Sequence, residues 1–197
     1  IKNNVSPYLK QLQSVSFFDV CKKINRDWVF RNINLELKIG DFLGITGNNG
    51  SGKSTLLQLF SAYIAPSEGE IKWFDQNGSI SGELVYQHIS LSSPSLQLIE
   101  NFTLREMLHF YFRFKGMRQR LSLNEVLLIS ELEQHSDKLI KDFSSGMKQR
   151  LKLLLAFTAN TPLLLLDEPC SNLDRSSIDW YKKNLTRFSM SRIIIVC

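Results

Sequence analysis

Three glycines fall within the six residues Gly47-Asn48-Asn49-Gly50-Ser51-Gly52, and Lys53-Ser54-Thr55 follow at once. The segment fits the pattern G-x-x-x-x-G-K-[ST]. The apolar run Phe42-Leu43-Gly44-Ile45-Thr46 leads in, and Leu56-Leu57-Gln58-Leu59-Phe60 leads out. A strand, a glycine-rich turn and a helix are therefore predicted in that order, which is the context a phosphate-binding loop needs. Glycines let successive backbone N–H groups turn inward around a phosphate. The helix start adds further donors and the positive end of its dipole. Lys53 would put a point charge on the β- and γ-phosphates of a nucleotide, and the Ser54 hydroxyl would ligate Mg²⁺. Gly47, Asn48, Asn49, Gly50, Ser51, Gly52, Lys53, Ser54 and Thr55 are thus candidate nucleotide-binding residues.

The remaining pattern is that of an α/β chain. Phe17 to Val20 and Ile33 to Leu37 read as strands, the second alternating apolar with polar residues. Pro66 to Gly69 reads as a turn, Glu70 to Phe74 as a strand, Asn77-Gly78-Ser79 as a second turn, and Leu84-Val85-Tyr86 as a short strand ending at Gln87. From about Glu100 to Phe157 the signals become helical. Thr103 to Glu106 and Ser122 to Glu125 are capping boxes. Leu104, Met107, Leu108, Tyr111 and Phe112 form one apolar face, and Gly116 is a plausible stop. A third helix carries Met147, Leu151, Leu154, Leu155 and Thr158 on one face. Leu163 to Asp167 then reads as a strand apolar on both faces, as a central parallel strand is. Asp174 is placed to cap a helix running to about Phe188, and Ile193 to Val196 reads as another buried strand.

A length of 197 residues fits one large domain, or a core with a subdomain. The longest aliphatic runs, Leu163 to Leu166 and Ile193 to Val196, fall far short of the roughly 20 apolar residues of a membrane span. Nothing at the start reads as a signal peptide, and an opening on Ile1 suggests a trimmed beginning. The net charge of +5 is mild and suits a solvated surface. Its densest cluster, Arg113, Lys115, Arg118 and Arg120, could meet anionic lipid heads or a partner. No nucleic-acid partner is expected. Cys21, Cys170 and Cys197 contain no CxxC pair; they suit a reducing cytosol and imply neither a disulfide framework nor a zinc site.

Asp167-Glu168 closes the Leu163 to Leu166 strand. A carboxylate at the C-terminal end of a parallel strand stands at the ligand edge of such sheets. Asp167 can hold Mg²⁺ directly or through water. Glu168, one residue on, can polarise an attacking water as a general base.

In this combination the chain resembles the nucleotide-binding domain of the ABC-type ATPases, motif by motif and in order from about Phe17 to Cys197. Gly47 to Thr55 is similar to that family's narrower loop form, G-x-N-G-x-G-K-S-T. Gln87 follows a short strand, as the family's Q-loop glutamine does. Phe143-Ser144-Ser145-Gly146-Met147, followed by Lys148-Gln149-Arg150, stands at the signature position. Asp167-Glu168-Pro169 resembles the Walker B motif, and Ser171-Asn172-Leu173-Asp174 the D-loop. The resemblance implies an α/β P-loop NTPase fold: a mostly parallel sheet core, an antiparallel β subdomain and an inserted helical subdomain. The core would comprise about 15–98 and 159–197, and the helical subdomain about 99–158, in a single domain over 1–197 that stops short at its C-terminus.

The same resemblance implies ATP and Mg²⁺ as ligands. Glu168, Gln87 and Lys53 would be catalytic, and Ser54, Gln87 and Asp167 would be at the metal. Ser144, Ser145 and Gly146, at a helix start open to an anion, would reach the ATP of a second ATPase subunit, identical or not. Two ATPs would then lie between head-to-tail protomers. Gln87, between the core and the helical segment, would sense the γ-phosphate and couple the two. Transmembrane permease subunits would be the other partners, placing the chain on the cytoplasmic face of the membrane. Gln87 and Ser144 stand 57 positions apart, room for a compact docking subdomain and too little for a long coiled coil. The form of Phe143 to Arg150 is similar to bacterial exporter ATPases, including haem-exporter-like ones.

Three positions depart from the family pattern. Met147 replaces the amide-bearing Gln of the commonest signature. The position of the adenine-stacking aromatic is Ile24, with Trp28 a nearby substitute. The family's switch His would come two or three residues after Val196, beyond Cys197. His88, His109 and His135 read as surface or structural. Two other readings stand beside the transporter motor: a regulatory nucleotide-binding module, and a cytosolic ATPase docking on ribosomal or RNA partners.

Overall fold

The computed structural model describes residues 12–118 and 121–197, so Arg120 of the basic cluster lies outside the described residues. The elements run β1 (Ser14–Ile24), β2 (Asp27–Lys38), β3 (Phe42–Gly44), α1 (Lys53–Phe60), β4 (Glu68–Asp75), β5 (Gly78–Ile80), β6 (Ile89–Ser92), α2 (Leu104–Lys115), α3 (Leu123–Ser130), α4 (Ser145–Thr158), β7 (Leu163–Leu166), α5 (Arg175–Phe188) and β8 (Ile193–Val196). The fold is α/β, with one antiparallel sheet and one containing parallel strands. Two compact units divide the chain. Of the described residues, the first gathers those up to Ile89 with Pro162–Leu165 and Ser191–Cys197; the second gathers those of Ser90–Thr161 with Leu166–Met190.

In the first unit, the antiparallel sheet has the order β2-β1-β4-β5. β2 alternates half-buried Ile33, Leu35 and Leu37 with exposed Asn34, Glu36 and Lys38, as its sequence predicts for a sheet with one wet face. Pairing of β1 with β2 shifts register between Phe17 and Val20. There Asp19 and Asn32 take left-handed φ values of 48° and 53°. The Asn34 side-chain amide spans the irregularity, donating to Asp19 Oδ1 at 2.7 Å and accepting from the Asp19 N–H at 2.9 Å. Gly69 makes this close approach possible: at φ +81°, a β-carbon there would stand 2.3 Å from the Asp19 carbonyl oxygen.

β3 and β8 pair in parallel, Phe42 opposite Ile194 and Gly44 opposite Val196, with β7 on the other side of β8. β3 is shorter than its sequence suggests, although the Ile45 N–H still donates to Val196 O at 2.8 Å. Leu163, Leu164, Leu165, Ile193, Ile194 and Ile195 are all buried, the two-faced burial that aliphatic runs in parallel strands require. α1 buries Leu57, Leu59 and Phe60. The Phe60 ring lies 4.5 Å from that of Phe17, and its carbonyl accepts from Trp73 Nε1 at 3.0 Å. The helix after the glycine loop is thereby fixed to the antiparallel sheet.

The expected strand at Leu84-Val85-Tyr86 is not formed. Gly82–His88 is a 3-10 helix, and the strand begins after it, at Ile89. Val85 and His88 are buried while Leu84 and Tyr86 are exposed. Burial at i and i+3 belongs to three residues per turn rather than to a strand's two.

In the second unit, α2 and α3 each begin with a complete capping box, Thr103 with Glu106 and Ser122 with Glu125. α2 stops at Gly116. α4 departs from its expected single apolar face: it buries Gln149, Leu151 and every residue from Leu153 to Thr158. Both α3 and α5 pack against it, and the Ser90 hydroxyl donates to Ala156 O at 2.9 Å. Phe157 is wholly buried, with ring centroids of Trp180, Tyr181 and Phe188 at 6.2, 6.0 and 6.3 Å. Cutting such a residue to Ala costs about 3–5 kcal/mol. Trp180 Nε1 donates to Ile129 O at 2.7 Å, tying α5 to α3. In the basic cluster, Arg113 is exposed. Burial holds the pKa of both Lys115 and Arg118 below their ordinary values, and Arg118 donates to Met190 O at 3.0 Å. Among the described residues, no helix is long and apolar enough to cross a membrane.

Candidate functional site

The first unit carries the glycine loop between β3 and α1. The Lys53 ammonium folds back over it, donating to Gly47 O at 3.0 Å and Asn48 O at 2.9 Å. The Ser51 N–H donates to Asn48 O at 3.1 Å, closing the turn. Asn48, Asn49, Gly50, Ser51 and Ser54 are exposed, while Gly52, Lys53 and Thr55 are half-buried. At Gly52, φ is +95° and a β-carbon would stand 2.2 Å from Val29 Cγ1, so β2 presses on the loop and only glycine fits. At Gly47 a β-carbon would come within 2.7 Å of the Ser51 hydroxyl.

The start of α1 is suited to an anion. Its N-cap, Gly52, offers no side-chain hydrogen bond, and the first turn holds no acidic residue. Most helices put a Ser, Thr, Asp or Asn oxygen at this place. Here no such oxygen caps the positive helix end, which favours an incoming negative group.

Gln87 is exposed at the end of the 3-10 helix, and its amide donates to the Tyr86 hydroxyl at 3.2 Å. Ile24 is exposed. Trp28 is half-buried, with the Arg31 guanidinium 4.5 Å and the Lys23 ammonium 5.3 Å from its ring centroid. Because its neighbours Val29 and Phe30 reach Gly52, Trp28 belongs to the strand that borders the loop.

The second unit carries the acidic pair and the signature. Asp167 is buried, and its N–H donates to Ser92 O at 2.8 Å. Glu168 is exposed and has φ 45°, a left-handed conformation that is costly for a non-glycine residue. The Ser171 hydroxyl donates to Glu168 Oε2 at 3.0 Å, and the Ser171 N–H to Glu168 O at 3.0 Å. One carboxylate oxygen is thus held by the turn that follows it. Ser144 caps α4, accepting from the Met147 N–H at 3.2 Å. Gly146 is crowded: a β-carbon would lie 3.3 Å from Asn172 O. Burial raises the Cys170 thiol pKa above its ordinary value.

Residues 30–171 match the family described as ABC transporter. The chain belongs to the ABC transporter family. Its ABC-family relatives include a bacitracin transport ATP-binding protein of Bacillus licheniformis, 31% identical over 84% of this chain and 54% of that one. A spermidine/putrescine import ATP-binding protein of Fusobacterium nucleatum is 30% identical over 82% of this chain and 44% of its own length. The chain spans about half the length of the curated relatives it matches. Among solved structures, an ATP-binding cassette captured as a dimer in a post-hydrolysis state with ADP and Pi superposes with TM-score 0.77. It is 26% identical and covers 92% of this chain and 87% of its own.

Three residues of this ABC-family chain make contacts that sequence reasoning did not assign. Val29 pins Gly52, Ser171 holds Glu168, and Gln149 is buried in α4 with its amide donating to Pro169 O at 3.2 Å. Ser171 and Gln149 fall within motifs that the sequence shows, but neither motif marks the contact.

Proposed function

We propose that this chain is the ATP-binding and hydrolysing subunit of a membrane transporter. The observation that carries it is the glycine loop: a cradle that β-carbons would fill, its cation folded in, leading into a helix start without a side-chain cap. Gly47 to Gly52 would wrap the phosphates with backbone N–H groups, and Lys53 would neutralise them as a point charge. Ser54 offers an uncharged hydroxyl beside the loop, and Asp167 a carboxylate at the end of β7, each a hard donor of the kind Mg²⁺ takes. When bound, that ion supplies charge neutralisation on the phosphate oxygens. Glu168 would take the proton of the attacking water as its oxygen bonds to the γ-phosphorus and the bond to the ADP oxygen breaks. The Ser171 hydroxyl, on Oε2, leaves Oε1 for that proton.

Ser144, Ser145 and Gly146 would complete the ATP site of a second ATPase subunit, so that nucleotide joins two protomers and hydrolysis parts them. Permease subunits would hold the pair at the cytoplasmic face of the membrane. Export is the direction we propose, on the form of Phe143 to Arg150. In the intact protein, Glu168→Gln should bind ATP, stall hydrolysis and accumulate dimer on gel filtration. Wild-type turnover by that variant would overturn the reading.

A further inference from the structure

We propose that Gln149 is a positioning residue for hydrolysis, holding through Pro169 the loop that carries Glu168. This rests on the reading of Glu168 as the base.

Gln149 is buried, 5% exposed, on the first turns of α4. Its amide nitrogen lies 3.2 Å from the Pro169 carbonyl oxygen, on the residue that follows Glu168. The loop needs such an anchor. Glu168 at φ 45° and Asn172 at φ 59° are both left-handed, and non-glycine residues keep that conformation when their surroundings over-determine it. α4 touches the loop again at Gly146, where the Asn172 carbonyl leaves no slack. Ser171 then orients the carboxylate within the loop. The anchor is itself held, because Gln149 is buried on a helix that is enclosed from Leu153 to Thr158. A group on a packed helix holds a loop more tightly than a group on another loop does. Met147 has no amide to offer at the signature; the amide two residues on is turned inward, to the base-bearing loop.

A merely structural role would cost stability without selecting among catalytic steps. Gln149→Met keeps length and removes the donor. In the intact protein, kcat should fall about tenfold to a hundredfold, the effect of a small misplacement of a reacting group. The affinity for a non-hydrolysable ATP analogue should stay within about twofold, since nucleotide binding does not use Glu168. In a Glu168→Gln background the same change should produce no further loss, because the two residues act as one unit. A kcat near wild type, or an equal loss in both backgrounds, would overturn the role. Should Gln149→Met fail to fold, Gln149→Glu gives a second reading. Its carboxyl can donate to Pro169 O only when protonated, so its kcat relative to wild type should rise as the pH is lowered; a flat ratio would overturn the proposal. Full turnover by Glu168→Gln alone would remove the base assignment, and the positioning role with it. An inactive Glu168→Gln beside a fully active Gln149→Met would remove the positioning role only.

Discussion

The side-chain ammonium of Lys53 donates to the main-chain carbonyl oxygen of Gly47 at 3.0 Å. The cation that would clamp a phosphate therefore also holds the loop closed, and the two tasks are lost together when it is removed. Lys53→Ala should weaken ATP binding by about 1.5–3 kcal/mol, the range for a hydrogen bond to a charged group. Lys53→Arg should not restore it, because a planar fork does not replace a compact point charge inside so tight a turn. Titration calorimetry checks both; an unchanged affinity in Lys53→Ala would remove the phosphate role.

Trp28 is an aromatic surface on the strand that borders the glycine loop, and cations lie 4.5 and 5.3 Å from its ring centroid. If adenine stacks on this ring, Trp28→Ala should weaken ATP binding by about 1–3 kcal/mol, as base stacking on an aromatic does. Binding of inorganic phosphate alone should be unaffected. Equal ATP affinities for the two proteins would show that the base rests elsewhere.

Gly69→Ala should destabilise the antiparallel sheet by about 2–5 kcal/mol, combining a strained backbone with a steric clash. The added carbon would meet the backbone oxygens of Asp19 and Phe18 at 2.3 and 2.4 Å, and backbone cannot swing aside as a side chain can. Gly78→Ala is the control: a β-carbon there meets nothing within 4 Å, so only the backbone strain remains. Urea unfolding should rank the two in that order.

Asp174 caps α5, and hydrogen bonds from the Ser177 side chain and backbone, then from the Ser176 hydroxyl, hold its carboxyl pKa below the ordinary value. Its folded pKa being below the unfolded one, the cap's pH-linked stabilisation is complete above the usual carboxylate range of about 4. It is lost as the pH falls through the folded value. Asp174→Asn keeps an N-cap without the charge. The melting temperatures of the two proteins should therefore differ most near neutrality and converge in acid. A difference that does not shrink as the pH falls would contradict the linkage.

Some of the molecule was legible because short-range chemistry decides it. Thr103 and Ser122 cap their helices wherever those helices are placed, and Gly52 and Lys53 carry their role in their identity and spacing. The 3-10 helix at Gly82–His88 was not legible: Leu84 and Tyr86 are apolar residues that end up in water, and the sheet takes Ile89 to Ser92 instead. α4 hid its burial for the opposite reason. A helix packed on several sides has no wet face to mark a period, so a search for one stripe finds one and misses the rest. Ser171 and Gln149 are invisible to pattern because their partners, Glu168 and Pro169, are met only after the chain has turned back on itself.

α4 is 14 residues long, a rod of about 21 Å at 1.5 Å per residue. With Leu151 and Leu153 to Thr158 enclosed, its C-terminal half has little room to bend or unwind. A displacement imposed at Gly146 would therefore reach Thr158 as travel of the whole rod instead of dying out along it. The signature end is joined by one continuous helix to an enclosed one, and whatever meets it pushes on the packed interior of the second unit.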